Sequence, residues 1–139
     1  MTDDVLFQNL AISSHGMRAQ GERIRVISEN VANVGTAANT PNAEPYQRKT
    51  ITFKNELDRE LGHRVVKVDS VDDDLDTPFP EEFRPDHPGA NEMGYVRMPN
   101  VNLLVELSDM REAQRSYEAN LGMLTQSRDM TSRTIDLLR

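Results

Sequence analysis

The sequence predicts a mainly α protein with a small β insert: long N- and C-terminal amphipathic helices that form coiled-coil-like packing, and an irregular β-rich middle module between them. Two patterns and one interruption lead there. Apolar positions alternate by four and three residues near each end of the 139-residue chain, which is the mark of a helix with a seven-residue repeat. Between the two striped segments, Pro78, Pro80, Pro85 and Pro88 exclude any long helix. The divisions fall at 1–34, 35–99 and 100–139.

The first stripe is Leu6, Leu10, Ser13, Met17, Gln20, Ile24, Ile27, Val31 and Val34. Asp3 or Asp4 suits the helix start, where an oxygen acceptor meets unpaired N–H groups and a carboxylate favours the dipole. Gly16 and Gly21 each lower helix propensity by roughly 1 kcal/mol, so either they weaken an exposed helix or they admit a close neighbour. The helix runs into Ser28-Glu29-Asn30-Val31-Ala32-Asn33-Val34-Gly35. Asn is poor inside a helix and good at its end, and Gly35 suits a left-handed terminator. Asn30 and Asn33 also share a face, so the same residues fit a packing site.

In the middle module, residues 46–53, 64–71 and 94–98 are strand candidates, with Ile51 and Phe53 on one face of the first. Tyr46-Gln47-Arg48-Lys49 reads either as a strand start with its cations in solvent or as a contact surface for an acidic neighbour. The acidic run 69–76 lacks the central Gly and terminal Glu of a calcium loop, and two prolines follow it, so it reads as a solvated loop.

The C-terminal stripe is Leu103, Leu107, Met110, Gln114, Tyr117, Leu121, Leu124, Arg128, Thr131, Ile135 and Leu138. Asn100 or Asn102 is placed to cap it, with Glu106 in the first turn. At 1.5 Å per residue this helix approaches about 55 Å. Two such helices want each other as an antiparallel hairpin, or neighbours from other subunits. Polar residues in the stripes lower stability and specify register. Long isolated amphipathic helices are marginal in water, so the termini of a free monomer are expected to fray.

Composition excludes several classes of function. Acidic residues outnumber basic ones 23 to 16, a formal charge of −7, and no basic patch suits phosphate neutralisation, so nucleic acid is not an expected partner. No stretch of about 18 apolar residues is present to span a membrane, and the acidic start is unlike a cleaved secretory signal. Cys is absent, which leaves the redox compartment open. His15, His63 and His87 lack a marked nucleophile or partner, and the acids Glu56, Glu60, Asp86 and Glu92 have no recognisable site around them. Catalytic, metal and cofactor-binding residues are therefore expected to be none.

Several stretches, in order, carry a resemblance. Residues 28–33 resemble the Asn-hydrophobic-Ala-Asn motif of bacterial flagellar axial proteins. Glu44-Pro45-Tyr46-Gln47-Arg48-Lys49 with Thr52-Phe53 is similar to the segment that follows it in the proximal rod proteins of the basal body. His87-Pro88-Gly89-Ala90-Asn91-Glu92-Met93-Gly94-Tyr95-Val96 resembles their Pro-x-x-Asn-x-x-Gly-Tyr-Val segment. Met98-Pro99-Asn100-Val101-Asn102 then leads into the last helix, and Arg115-Ser116-Tyr117-Glu118-Ala119-Asn120 looks like the Arg-x-Tyr-x-Ala-Asn stretch. Gly35-Thr36, the link 37–40 and the acidic run 72–76 depart from the pattern.

The resemblance implies a structural subunit of the proximal rod. Such a subunit is exported without a cleaved signal and polymerises with copies of itself and other rod proteins. The product is a periplasm-spanning, torque-transmitting driveshaft and export channel wall, with a contact to the inner-membrane ring or export gate as a further expectation. The residues expected at the assembly interface are Leu6, Leu10, Met17, Ile24, Ile27, Asn30, Val31, Asn33, Val34, Leu103, Leu107, Met110, Tyr117, Asn120, Leu121, Leu124, Ile135 and Leu138. The alternative is a soluble coiled-coil adaptor forming small closed oligomers.

Overall fold

Long helices form where apolar spacing is helical and no proline intervenes, and here they take the two ends of the chain. A computed structural model describes residues 2–41, 43–59 and 62–137, with only the backbone for 2–7. The elements run α1 (Thr2–Ala32), β1 (Lys49–Asp58), β2 (His63–Asp73), β3 (Glu81–Phe83), β4 (Tyr95–Arg97) and α2 (Leu103–Leu137). α1 has 31 residues and α2 has 35, so α2 is about 52 Å long at 1.5 Å per residue. The expected mainly α fold with a small β insert is observed. The expected capping by Asp3 or Asp4 and the side chain of Leu6 lie outside the described residues, as do Glu60 and Leu138.

The chain divides into two compact units. The first comprises Met1–Ile24, Thr52–Ser70 and Arg111–Arg139, and the second Arg25–Ile51 and Val71–Met110.

In the first unit, α1 and α2 run antiparallel. Gly16 faces Asn120, and Arg23 pairs with Glu112 at 3.8 Å, so one helix advances as the other retreats. A Cβ on Gly16 would lie 3.0 Å from the Asn120 amide, so this glycine admits the neighbouring helix. Gly21 has nothing within 4 Å of such a Cβ, so it brings only the propensity cost. The hairpin of β1 and β2 contributes Val65 to the buried core, beside Ala19 and Ala113. Its cross-strand pairs are polar: Thr52 Oγ1 and Ser70 Oγ are 2.9 Å apart, and Lys67 Nζ donates to Glu56 Oε1 at 2.8 Å.

In the second unit, β3 and β4 pair antiparallel in the register Glu81 to Arg97, Glu82 to Val96 and Phe83 to Tyr95. Val96 is fully buried, while the Phe83 and Tyr95 rings meet edge to face at 5.3 Å on the opposite side. β3 is absent from the strand candidates, because three residues between prolines carry no readable alternation. The loop before β4 is organised by Asn91, whose Oδ1 accepts the N–H groups of Met93 and Tyr95 at 3.0 and 2.9 Å. Gly94 closes that loop at φ 83°, a conformation that disfavours any residue with a Cβ. At Gly89 the backbone carbonyl of Ala38 comes so close that no Cβ fits, which brings the linker at Ala38 against this loop.

The two helix ends differ from expectation in one respect. Asn102 caps α2, its Oδ1 accepting the N–H groups of Leu104 and Val105 at 3.1 and 3.4 Å. At the end of α1, Gly35 does not adopt positive φ. The helix instead ends by tightened turns, with Asn33 N bonding to Asn30 O and Thr36 N to Asn33 O. The Asn33 side chain donates back to Glu29 O at 2.9 Å, which satisfies a terminal carbonyl without a left-handed residue.

Candidate functional site: a buried polar hub and the outer faces of the helices

Asn30 stands at the end of α1, facing inward, and is 1% exposed. A buried amide needs partners for two N–H groups and two lone pairs, and Asn30 has all four. Its Nδ2 donates to Lys49 O at 2.8 Å and Glu106 Oε2 at 3.1 Å. Its Oδ1 accepts from Tyr46 Oη and from Lys49 N, both at 2.9 Å. Glu106, in the first turn of α2 and also 1% exposed, gives its other oxygen to Arg48 Nε at 2.6 Å.

Asn100 supplies the next layer. Its Oδ1 accepts Arg48 N at 2.7 Å, and its Nδ2 donates to the carbonyls of Asp74 and Thr77, both at 3.0 Å. Asp74 N returns a bond to Arg48 O at 2.8 Å, and Arg48 Nη1 lies 3.7 Å from Asp74 Oδ2. Five separate stretches of chain, around residues 30, 46–49, 74–77, 100 and 106, thus meet through side chains that satisfy one another. Such complete pairing is what makes a buried polar network stabilising instead of costly.

The electrostatics follow from that pairing. Burial pushes the Tyr46 phenol up to about 12, helped by the negative charges of Glu29, Asp73 and Glu106. Burial works against the Arg48 cation, but the hydrogen bond to Glu106 and the charges of Glu106, Asp74 and Asp109 outweigh it and hold its pKa above the ordinary arginine value. The Asp74 carboxyl is held below its ordinary value, first by the Thr77 hydroxyl and N–H, with the Asp76 N–H and Arg48 adding to it against the cost of burial. Lys49 Nζ rests on Glu29 Oε1. The cations of the 46–49 tract therefore have acidic neighbours, all within the same chain. Among the described residues no group of three or more His, Asp or Glu is placed to hold a metal, and no described helix is long and apolar enough to cross a membrane.

The stripe residues divide by depth. Ile27 and Asn30 are buried, and Leu10, Met17, Ile24, Val31, Asn33 and Val34 are half-buried. In α2, Met110, Tyr117, Asn120 and Leu124 are half-buried, whereas Leu103, Leu107, Leu121 and Ile135 are exposed. The buried line of α2 is Glu106, Ala113 and Ser127, with half-buried Asn120 at the matching seven-residue step. That line lies one residue before the line 107, 114, 121 and 128. Small and polar side chains thus hold the most buried line, while Leu107, Leu121 and Ile135 are exposed on the next line beside Gln114 and Arg128. Counting apolar residues points to the outward line. Nothing in the pattern marks a glutamate and an alanine as the inward one. Glu106 was legible only as a first-turn acid, and Asn100 only as a rival cap.

Comparison with known proteins bears on this arrangement. Residues 92–137 match the family described as "Flagellar basal body rod FlgEFG protein C-terminal", a stretch that includes the Asn91–Tyr95 loop from its second residue and all of α2. A "Flagellar basal-body rod protein FlgC" of Agrobacterium fabrum is 48% identical over 92% of this chain and 91% of its own length. The chain belongs to the FlgC family. FlgC proteins of Borreliella burgdorferi and Bacillus subtilis are 36% and 32% identical, covering 96% and 94% of this chain and 98% and 97% of their own lengths. At that coverage the aligned FlgC length includes the hub, residues 30–106.

Proposed function

We infer that the chain is a structural subunit of the flagellar basal-body rod, acting by packing and without chemistry of its own. Its near full-length relatedness to FlgC proteins carries this reading. The outward aliphatic side chains of α2 support it, because burying apolar area between subunits supplies roughly 25 cal/mol per Å². In this reading Leu103, Leu107, Leu121 and Ile135 meet neighbouring rod subunits, while the hub holds the helix ends in register. The chain polymerises with copies of itself and with other rod proteins in the periplasm, after export without a cleaved signal. A contact of the assembled rod with the inner-membrane ring or export gate belongs to the same proposal. The test is complementation of a motility-deficient strain lacking its own FlgC. Swimming and recovery of the chain in purified basal bodies are expected. A chain that folds and is exported, yet is found only as a small closed oligomer, would favour the adaptor reading.

A further inference from the structure

Leu75, two residues past the end of β2, is 81% exposed. An exposed leucine on a loose loop would mean little, but this one stands on a fixed turn. Asp74 Oδ1 accepts the N–H groups of Asp76 and Thr77 at 3.2 and 3.1 Å, and Oδ2 accepts the Thr77 hydroxyl at 2.8 Å. The Asp74 N–H and carbonyl are anchored to Arg48 and Asn100. The side chain is thus presented to solvent with its backbone entropy already lost, flanked by the exposed carboxylates of Asp73 and Asp76.

A site of matching chemistry exists elsewhere on the surface. In the first unit, α1 and β2 enclose a groove of about 260 Å³ lined by His15, Arg18, Ala19, Glu22, Val66, Lys67 and Val68. Ala19, Val66 and Val68 supply its aliphatic lining, and Arg18, Lys67 and Glu22 its charged groups. Arg18 has no ion pair among the described residues, while Lys67 bonds Glu56 at 2.8 Å. Glu22, the acidic lining residue, is itself engaged within the chain.

We propose that the Leu75 turn of one copy seats in the His15–Val68 groove of a second copy, Leu75 on Val66 and Val68, Asp73 and Asp76 against Arg18 and Lys67. An acidic turn around one aliphatic side chain and an aliphatic groove flanked by the Arg18 cation, with Lys67 shared with Glu56, are complementary in both charge and polarity. The two patches are different, so the contact is head to tail and propagates from copy to copy. The proposal rests on the reading of the chain as a polymerising subunit.

The chain has no cysteine, so single cysteines report on this contact without background. A Leu75→Cys chain is mixed with a Val66→Cys chain under mild oxidation, both as purified protein and co-expressed in cells from which basal bodies are isolated. Leu57→Cys, on the same hairpin and more exposed than Val66, replaces Val66→Cys as control. The mixed disulfide-linked dimer is expected at about tenfold the control yield, falling about tenfold when Arg18→Glu is added to the groove chain. Asp73→Lys with Asp76→Lys in the turn chain is expected to restore it. Equal yields for target and control, indifference to the charge swap, no mixed dimer in either setting, or a Leu75→Cys adduct only with a different protein would each overturn the proposal. Swimming of the co-expressing cells scores the rod-subunit reading separately, since that reading survives loss of this one contact.

Discussion

Asn30 and Lys49 exchange two hydrogen bonds: the Asn30 amide donates to the Lys49 carbonyl at 2.8 Å and accepts from the Lys49 N–H at 2.9 Å. A side chain thereby takes the place of a strand neighbour at the first residue of β1. The remaining donor and acceptor reach Glu106 and Tyr46, which ties α1 to α2 and to the linker. The Asn33 side chain, three residues on, bonds to Glu29 and Thr36, both local. The two asparagines of the motif have different tasks.

Asn30→Ala leaves the Lys49 backbone groups and one Glu106 oxygen without their partner, and is expected to destabilise the chain by about 3 kcal/mol. Asn33→Ala removes a local terminal bond and should cost about 1 kcal/mol or less. Urea unfolding of both variants checks this; a larger loss at Asn33 would contradict the division of roles. If Asn33 also bonds across a subunit boundary, its alanine variant reduces swimming more than its folding stability explains.

Removing Arg48 strands Glu106 in a buried site, whereas removing Glu106 leaves Arg48 a quarter exposed and beside Asp74. Arg48→Ala is expected to cost about 3 kcal/mol, and Glu106→Ala, which also leaves an Asn30 N–H without its partner, about 2 kcal/mol. The double variant should cost less than the sum, with a coupling of about 1 kcal/mol or more. Additive losses in a double-mutant cycle would show that the pair does not act as a unit.

The hub also fixes the pH limits of stability. The Asp74 pKa is lowered by folding, so its contribution is complete above the unfolded value near 4 and is lost as pH falls through the folded value. The Tyr46 pKa is raised to about 12, so its contribution is complete below the unfolded value near 10 and is lost as pH rises towards the folded one. Urea midpoints should therefore decline at both extremes. Asp74→Asn is expected to flatten the acid decline and Tyr46→Phe the alkaline one; unchanged slopes would remove these groups as the cause.

The two lines of α2 should respond oppositely to charge. Leu121→Asp, on the outward line, is expected to change stability by about 0.5 kcal/mol or less while abolishing incorporation into basal bodies. Ala113→Asp places a carboxylate in a fully buried position and should prevent stable folding. Melting temperature and swimming, read together, check the pair. An unfolded Leu121→Asp chain would mean that the outward line belongs to the core.

Gly89→Ala forces the Ala38 carbonyl to move and is expected to cost about 2 kcal/mol. Gly21→Ala meets nothing within 4 Å and should be stabilising by up to about 1 kcal/mol through helix propensity alone. Thermal melts that rank the two the other way would overturn the close approach at Gly89.

The helices were legible because their stripes are long and uninterrupted by proline, and β2 because its valines cluster. The β1 candidate began three residues early, since Tyr46 to Arg48 carry strand-like chemistry but turn inward to the hub. The hub itself was not legible. Its members lie up to 76 residues apart, as Asn30 and Glu106 do, and each has an ordinary local explanation as a helix stop, a cap or a first-turn acid. Local spacing shows which face a residue takes on its own element. It does not show that two polar side chains and both backbone groups of Lys49 converge on one buried amide.

The outward aliphatic line of α2 gives the free subunit the character of a detergent, apolar along one helix flank and anionic overall. Its charge of −7 then sets a repulsive barrier between copies, and that barrier thins as ions screen it over a Debye length of about 8 Å at 0.15 M salt. Ionic strength, more than concentration alone, becomes the control on when dissolved subunits begin to cohere.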